Sequence, residues 1–223
     1  MIEFVIYGHN FDPFRLKCLL SSCNILSAGT LTPMDSRDFS TRQLGWLNWR
    51  DAGLTGQDVH ESVKTLGAMA GMFLQSAQNL DSATVLYRVQ WVGPESRANE
   101  GALLFGSTVI ESGQVGDEYF MTHGHFHQLR DLGEMYTTVA GYGALILMDE
   151  TRRTWMEAMA PGSIHYIPGA LAHRVANIGP TQLKFLACWP AQAGHDYDSI
   201  KASGFGARLM CRNGKPLLIG SAL

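Results

Sequence analysis

The second half of the chain is a succession of short apolar runs separated by turns. From Ala83 onward these runs are TVLYRVQWV, ALLFGSTVI, EYFMT, MYTTV, ALILM, TWMEA, SIHYIP and LKFLACW. Glycine, proline or acidic turns separate most of them, as is typical of β-strands joined by short connections. Many short strands at near-regular intervals predict an antiparallel barrel or a double-sheet jelly roll. The segment 141–143, Gly-Tyr-Gly, lies between two runs, so we interpret it as a turn and not as a nucleotide-binding loop.

The first 82 residues have a different pattern and are predicted to form an N-terminal extension to the barrel, which takes residues 83–223. Residues 1 to about 55 show little periodicity, with turn-rich segments between short apolar pieces. Apolar residues then recur at helical spacing without proline, and they are Val59, Val63, Leu66, Met69, Met72, Phe73 and Leu74. We therefore predict one amphipathic helix over about 57–80, packed on the barrel or at a subunit contact.

Composition and charge favour a folded protein with a small-molecule partner. Hydrophobic residues make up 46% of the chain and charged residues 17%, which excludes a disordered protein. The formal charge is -3 and the pI is near 6.2, so no broad basic field is available for nucleic acid or anionic lipid. The longest apolar stretch, MYTTVAGYGALILM, is short for a membrane span, and no basic region precedes an apolar run at the amino end. We expect a cytoplasmic protein.

The four cysteines are sparse and irregularly spaced, at Cys18, Cys23, Cys188 and Cys211. This pattern indicates neither a disulfide scaffold nor a zinc site of the cysteine type. Reduced thiols are therefore the expectation in a protein without an export signal.

Six of the eight histidines fall between positions 123 and 195. In a strand, alternate residues share one face, so His125 and His127 are expected to point together, as are Glu134 and Tyr136. Imidazole and carboxylate suit first-row divalent metals. A single His-x-His pair is more often surface polarity than a metal site. Here a glutamate follows seven residues later, and a Pro-x4-His-x3-Asn stretch ends at Asn177, so a metal site is favoured.

Three segments of the chain closely resemble the cupin-type glucose-6-phosphate isomerases. They are THGHFHQLRDLGEMYTTVAGYG at 122–143, PGSIHYIPGALAHRVANIG at 161–179 and AQAGHDYDSI at 191–200, and the resemblance covers roughly residues 84 to 215. The six-residue gap between His127 and Glu134, together with AGHDY, points to this family more narrowly than the general cupin pattern does. The resemblance implies an all-β cupin barrel, interconversion of glucose 6-phosphate and fructose 6-phosphate in glycolysis and gluconeogenesis, and a homodimer.

The resemblance also implies the site residues. It makes His125, His127, Glu134 and His173 the ligands of one divalent ion, with Fe²⁺ expected first and Mn²⁺, Zn²⁺ or Ni²⁺ as alternatives. Around a bound sugar phosphate it places Tyr87, Thr108, Thr122, Gly124, Tyr136, His195 and Tyr197. The sequence departs from the family where Ala170 and Leu171 replace a common Tyr-Trp pair, and where Trp189 replaces a common tyrosine. These departures bear on the identity of the substrate.

Moving a carbonyl between C1 and C2 of an open-chain sugar requires moving a hydrogen and stabilising negative charge on the oxygens. We expect Glu134 to carry the proton and His195 or Tyr136 to donate hydrogen bonds to those oxygens. In the alternative, a hydride passes between the carbons and Glu134 is only a ligand. Isomerisation or epimerisation of another sugar phosphate, a non-catalytic metal- and sugar-binding cupin, and an oxygenase are the other functions considered; AGHDY argues against the oxygenase.

Recognition of the phosphate is the least evident part, because no cluster of lysine and arginine lies beside the motif. Hydroxyls and backbone N–H groups can bind phosphate without a full counter-charge, which favours Thr108, Thr122 and Gly124. Arg174 follows a predicted ligand and is expected to face the opposite way. His123 either adds charge near the anion or faces solvent. The remaining histidines, His9, His60 and His165, are interpreted as structural.

Overall fold

Antiparallel strands dominate the computed structural model, which describes residues 43–75, 80–93, 101–201 and 203–220. The strands before the first long turn are β1 (Trp46–Leu47), β2 (Leu54–Thr55), β3 (His60–Thr65), β4 (Val85–Val92), β5 (Leu103–Ile110), β6 (Gln114–Val115) and β7 (Glu118–Tyr119). Those that follow are β8 (Glu134–Ala140), β9 (Gly143–Met148), β10 (Thr154–Met159), β11 (Ile164–Ile167), β12 (Ala172–Asn177), β13 (Leu183–Pro190), β14 (Ala207–Arg212) and β15 (Lys215–Gly220). The helices are short, α1 (Leu66–Met69), a 3₁₀ turn (Ala70–Met72) and α2 (Asp198–Lys201).

The strands form two facing sheets and a smaller flanking sheet. The large sheet has the order β11-β8-β13-β5-β4-β3, and the opposing sheet has the order β10-β9-β12. A further sheet, β15-β14-β7-β6, carries the carboxyl-terminal hairpin, and β1 pairs with β2. Each of the eight apolar runs named from the sequence contains a strand. The predicted all-β cupin barrel is confirmed.

Burial follows the pattern expected for such a barrel. All six residues of β9 are buried, which indicates that both faces of this central strand are covered. In β8, by contrast, Glu134, Tyr136 and Thr138 are buried and the residues between them are not. The two-residue period turns these three side chains to the inside of the barrel. The segment 141–142 links β8 in one sheet to β9 in the other, as the turn interpretation predicted.

The predicted helix over about 57–80 is wrong. Residues 60–65 form strand β3, which pairs with β4, and of the residues of this segment that the structure describes only 66–69 are α-helical. Val63, which the helical spacing placed on the apolar face, is 37% exposed. The segment forms a strand despite its helical spacing of apolar residues, because pairing with β4 adds backbone hydrogen bonds along its whole length. The strand ends where the Thr65 hydroxyl accepts from the Ala68 N–H and caps the short helix.

The extension predicted at 1–82 thus contributes β3 to the large sheet. Residues 1–42, with His9, Cys18 and Cys23, lie outside the described residues. Cys188 and Cys211 are free, half-buried thiols. Within the described residues, no helix has the length and apolar character needed to span a membrane.

Candidate metal centre and substrate cavity

Three structural elements bring the four predicted ligands together. Glu134 is the first residue of β8, and His173 is the second residue of β12. His125 and His127 lie on an irregular segment that runs beside β12, joined to it by isolated bridges. In one of these bridges, the His125 and His173 backbones exchange hydrogen bonds of 3.2 and 3.0 Å. The two histidines expected on one strand therefore point together, although the segment is not a regular strand.

The ligand atoms of the four side chains converge on one small volume. One candidate atom from each of His125, His127, Glu134 and His173 lies within 4.8 Å of all the others. The Nε2 atom of His173 is 2.6 Å from Oε1 of Glu134, and Nε2 of His127 is 3.8 Å from the same oxygen. The two atoms at 2.6 Å form an ion pair without hydrogen-bond geometry, and neither has a hydrogen-bond partner elsewhere among the described residues. Buried polar atoms left without partners but aimed at one point fit a bound cation.

Backbone carbonyls fix the orientation of two of these rings. Nδ1 of His127 lies 2.6 Å from the Leu132 carbonyl oxygen, and Nδ1 of His173 lies 3.2 Å from that of Leu171. Because a carbonyl only accepts, each Nδ1 must carry the proton, which directs Nε2 toward the cluster, where the neutral ring would offer its lone pair to a cation. This arrangement is the one by which metal-binding histidines are usually held.

Burial determines the charge of the imidazoles. It lowers the pKa of His125, and the neighbouring His173, His195 and His127 lower it further. Burial likewise lowers the pKa of His127, despite the opposing effects of the Leu132 carbonyl and Glu134. Both rings are therefore neutral near pH 7, which is the form that binds a metal ion.

Glu134 and His173 form a coupled buried pair. Burial opposes charge on both groups, but their mutual attraction outweighs it, so the pKa of Glu134 is lowered and that of His173 is raised. The Tyr136 hydroxyl hydrogen-bonds to the Glu134 carboxylate, and burial followed by the charge of Glu134 raises the pKa of Tyr136 well above its usual range. Tyr136 is therefore a neutral hydrogen-bond donor at the inner wall.

The cluster opens into a cavity of about 420 Å³ inside the barrel. Of the site residues predicted from the sequence, all but one line this cavity: Tyr87, Thr108, Thr122, Gly124, His125, Glu134, Tyr136, His173, His195 and Tyr197. The exception, His127, is only 2% exposed and lies behind the others. The structure thus assembles the predicted metal and substrate residues around one volume.

Strand register explains why these side chains meet. Inward residues on adjacent strands are lateral neighbours, so Val89 on β4 faces Thr108 on β5, and Thr108 faces Phe185 on β13. Cross-strand neighbours on one face lie about 5 Å apart. The wall of the cavity is therefore continuous from β8 through β13, β5 and β4 to β3.

The loop 122–124 forms another part of the wall. Gly124 has φ +75°, and a Cβ built on it would lie 2.9 Å from the Arg174 side chain. Arg174 donates to the His123 carbonyl oxygen at 2.7 Å and stacks over Phe205, so it packs behind the loop and does not line the cavity. This is the orientation expected from the sequence.

His123 lines the cavity and is only partly exposed to solvent. Its backbone N–H donates to the Tyr87 hydroxyl at 3.2 Å, and its ring meets Tyr197 edge-on at 4.6 Å. Burial lowers the pKa of His123, and the nearby positive charges of Arg174 and Lys64 lower it further, against the Gly124 carbonyl. Burial raises the pKa of Tyr87 to about 12, so that hydroxyl stays protonated.

The AGHDY segment is anchored by its aspartate. The backbones of Asp196 and Phe126 exchange hydrogen bonds of 2.8 and 3.2 Å, and the Asp196 carboxylate binds Arg130 at 2.6 Å. Alternate residues then turn the other way: the ring of His195 lies 4.3 Å from that of His125 and stacks with Tyr197. Asp196 was not among the residues predicted from the sequence, although its position between two predicted substrate residues indicates a role.

Lys64 and Ser62, which line the cavity from β3, were also not predicted from the sequence. Because this segment was predicted to be a helix, the two side chains were not expected to face the cavity. The pairing of β3 with β4 shows that they do. Of the residues that depart from the family, Trp189 lines the cavity, and its ring would lie 2.9 Å from a Cβ on Gly106. Ala170 and Leu171 are not among the lining residues.

The two other described histidines lie apart from the cluster. His165 is buried and contacts Glu157 and Ser163, at 2.9 and 3.0 Å. His60 stacks on Trp91 with ring centroids 5.4 Å apart. Both contacts fit the structural roles expected for these residues.

Comparison with known proteins matches the chain to glucose-6-phosphate isomerases. The sequence model of the family "Glucose-6-phosphate isomerase (GPI)" matches residues 63–218. The glucose-6-phosphate isomerase of Thermococcus litoralis is 36% identical over 163 residues, which cover 71% of this chain and 85% of that protein. That of Pyrococcus furiosus is 38% identical over 164 residues, with the same coverage. That of Thermococcus kodakarensis is 40% identical over 157 residues, covering 69% and 82%. Among solved structures, a mutant of Bacillus subtilis oxalate decarboxylase is 13% identical, with a TM-score of 0.43 over 71% of this chain and 32% of that chain.

Proposed function

Because the chain belongs to the glucose-6-phosphate isomerase family, we propose that it is a metal-dependent enzyme that interconverts glucose 6-phosphate and fructose 6-phosphate. One observation supports the metal dependence above all others: four ligand atoms converge within 4.8 Å beside a cavity of about 420 Å³, and two of them have no hydrogen-bond partner in the part of the chain that the structure describes. A cavity of this size suits a small ligand of the sugar-phosphate class.

His125, His127, Glu134 and His173 would hold the ion. A divalent cation bound there, Fe²⁺ or alternatively Mn²⁺, Zn²⁺ or Ni²⁺, supplies a Lewis acid that favours negative charge on substrate oxygens. Two carbonyl-oriented histidines and a carboxylate held by Tyr136 make the site rigid before the substrate arrives. This preorganisation is what electrostatic stabilisation of a transition state requires.

The chain's own residues provide the remaining steps. We assign the C1–C2 proton to Glu134, which faces the cavity at its inner end. Tyr136, protonated throughout, and His195, neutral because burial lowers its pKa, donate or accept hydrogen bonds at the substrate oxygens. His195 and Tyr197 line the cavity and are themselves exposed, so they stand between solvent and the reacting carbons, where they would reduce access of water.

The central test measures turnover of fructose 6-phosphate, detected as glucose 6-phosphate, after chelation and re-supply of single divalent ions. We expect activity to fall with the bound metal and to return with at least one ion of the first transition series. Full activity in protein whose metal content is below detection would contradict the metal dependence. A different outcome is that no ion supports turnover of fructose 6-phosphate but another sugar phosphate is turned over. This result would assign the enzyme to the alternative function, isomerisation or epimerisation of that sugar phosphate, on which the departure at Trp189 bears.

Isomerisation in deuterated water tests the role of Glu134. Proton transfer through a carboxylate allows exchange with solvent, so we expect deuterium at C1 or C2 of product quenched early in the reaction. Product without deuterium under these conditions would mean that hydrogen passes directly between the carbons. Glu134 would then be a ligand only.

We further propose that the enzyme is a homodimer. Tyr166, Met135, Cys188 and Phe105 are lateral neighbours on the outer face of the large sheet, and Tyr166 is 69% and Met135 48% exposed. A contiguous apolar row on a sheet face is typical of an interface between subunits. Sedimentation of the wild type should give twice the chain mass, and Tyr166→Lys should shift the protein toward the monomer. A monomeric wild type at micromolar concentration would contradict the dimer.

A further inference from the structure

The cavity contains a lysine that neither the sequence motifs nor the metal cluster explain. We propose that Lys64 is the cation that binds the anionic end of the substrate and thereby selects phosphorylated over neutral sugars. This inference rests on the proposed function, since it concerns the other end of the same cavity.

Strand register turns Lys64 inward. Lys64 pairs with Tyr87 and Ser62 pairs with Val89, and all four side chains line the cavity. The intervening Val63 pairs with Arg88 on the opposite face of the sheet. The Tyr87 hydroxyl beside Lys64 accepts from the His123 N–H at 3.2 Å. Lys64 therefore stands next to the loop 122–124, which carries the hydroxyl and amide groups predicted to bind phosphate.

The charge of Lys64 is not compensated within the described residues. No hydrogen bond or ion pair joins it to another described residue, although its side chain is half-buried. Its sequence neighbour Glu61 is engaged elsewhere, where it accepts from Gln90 at 2.9 Å and lies 3.9 Å from Arg88. A protonated amine on a concave wall without a carboxylate beside it attracts an anionic ligand.

Apart from any bound metal ion, the protein's own charged side chains lie at the two ends of the cavity. Among the described residues that line it, Lys64 is the only lysine or arginine and Glu134 is the only carboxylate. They lie on β3 and β8, with three strands between them in the sheet. A ligand with two oxygens on adjacent carbons at one end and a phosphate at the other matches this separation. Arg174, the other nearby cation, packs behind the loop and cannot replace Lys64 in direct contact.

The experiment compares Lys64→Met, Lys64→Arg and Lys215→Met in the metal-loaded enzyme. Lys64→Met removes the charge and keeps most of the apolar stem, while Lys215→Met removes a lysine from the exposed carboxyl-terminal hairpin. We expect Lys64→Met to raise KM for fructose 6-phosphate roughly ten- to hundredfold, as for loss of a hydrogen bond to a charged group. Competition by inorganic phosphate should weaken by the same factor, and kcat should stay within about threefold because the reacting carbons are distant.

Two comparisons identify charge as the cause. Lys64→Arg should restore most of the affinity for fructose 6-phosphate and for inorganic phosphate, and Lys215→Met should match the wild type. Metal content and thermal unfolding of each variant establish that the fold and the metal site are retained. The KM increase should also shrink at high ionic strength, because the wild type loses its electrostatic advantage there.

The proposal is overturned if Lys64→Met leaves KM and phosphate competition within twofold of Lys215→Met. It is also overturned if Lys64→Arg is as impaired as Lys64→Met, since the side chain would then act by shape. Calorimetric binding of inorganic phosphate to the wild type and to Lys64→Met separates this result from failure of the proposed function. Phosphate binding that depends on Lys64, without turnover of fructose 6-phosphate, would retain the anion site and reject the reaction.

Discussion

The two ends of the cavity are built on different physical principles. At the metal end, His127 and His173 are each 2% exposed and Glu134 is 6% exposed, and their ligand atoms lie within 4.8 Å of one another. At the anion end, the groups come from separate strands and a loop and range from buried Thr108 to half-buried Lys64, which is the only lysine or arginine among the described residues that line the wall. The first is a closed cluster in which each member depends on the others. The second is an open surface on which several groups contribute to one ligand.

This difference predicts how each end responds to change. In the cluster, loss of one member leaves buried polar atoms without partners and removes a position needed to hold the ion. At the open end, water can replace a missing group, so binding weakens by degrees. Substitutions at the metal end should therefore act on kcat and metal content, and those at the anion end on KM.

The largest effect is expected for His173→Ala. This change removes one of the two buried histidines whose Nε2 faces Glu134 Oε1, so the protein as purified should lose its bound metal. Because a metal ion contributes several kcal/mol to stabilising charge in a transition state, kcat should fall by about a thousandfold or more. Metal content and turnover of fructose 6-phosphate, measured together, check this outcome.

His165→Ala is the matched control, since His165 is also buried but contacts Glu157 and Ser163 outside the cavity. It should retain the metal and most of the activity. Equal loss in both variants would attribute the effect to general destabilisation and would break the distinction between the two ends.

A smaller effect is expected for Gly124→Ala, which tests the anion end through its backbone. The new Cβ would lie 2.9 Å from Arg174 and Phe205, on a residue whose φ is +75°. The loop must shift, so KM for fructose 6-phosphate and competition by inorganic phosphate should weaken about tenfold, while metal content stays unchanged. Steady-state kinetics and metal analysis check this pattern.

Gly162→Ala is the control that distinguishes backbone strain from displacement of the loop 122–124. Gly162 has φ +88° with no atom within 4 Å of the added Cβ, so it carries the same backbone penalty without a contact. Gly162→Ala should lower thermal stability and leave KM unchanged.

A loss of metal in Gly124→Ala would contradict the independence of the two ends.

The contrast between the ends also explains what the sequence could predict. His125, His127 and Glu134 lie within ten residues, so a local pattern favoured a metal site there, and the resemblance to the isomerase family supplied the ligand assignment. His173 belonged to a second motif of its own. Lys64, in contrast, reaches the cavity only through pairing of β3 with β4, whose partner residue Tyr87 lies 23 positions away. The apolar spacing of that segment matched a helix, and local spacing contains no information about which strand a segment will pair with.

The smallest effect is expected for Asp196→Asn, which tests whether the two ends share one support. Asp196 joins the AGHDY segment to Arg130 and Phe126, and so positions His195 beside the metal ligands and Tyr197 beside His123. The backbone hydrogen bonds to Phe126 remain in the variant, and the ion pair is partly exposed, so stability should change by less than about 1 kcal/mol. We expect kcat and KM each to worsen about two- to threefold, because the segment contacts both ends of the cavity. Asp117→Asn is the control, since Asp117 pairs with Arg212 on the distant hairpin. A change in kcat alone would assign the segment to the metal end, and a change in KM alone would assign it to the anion end.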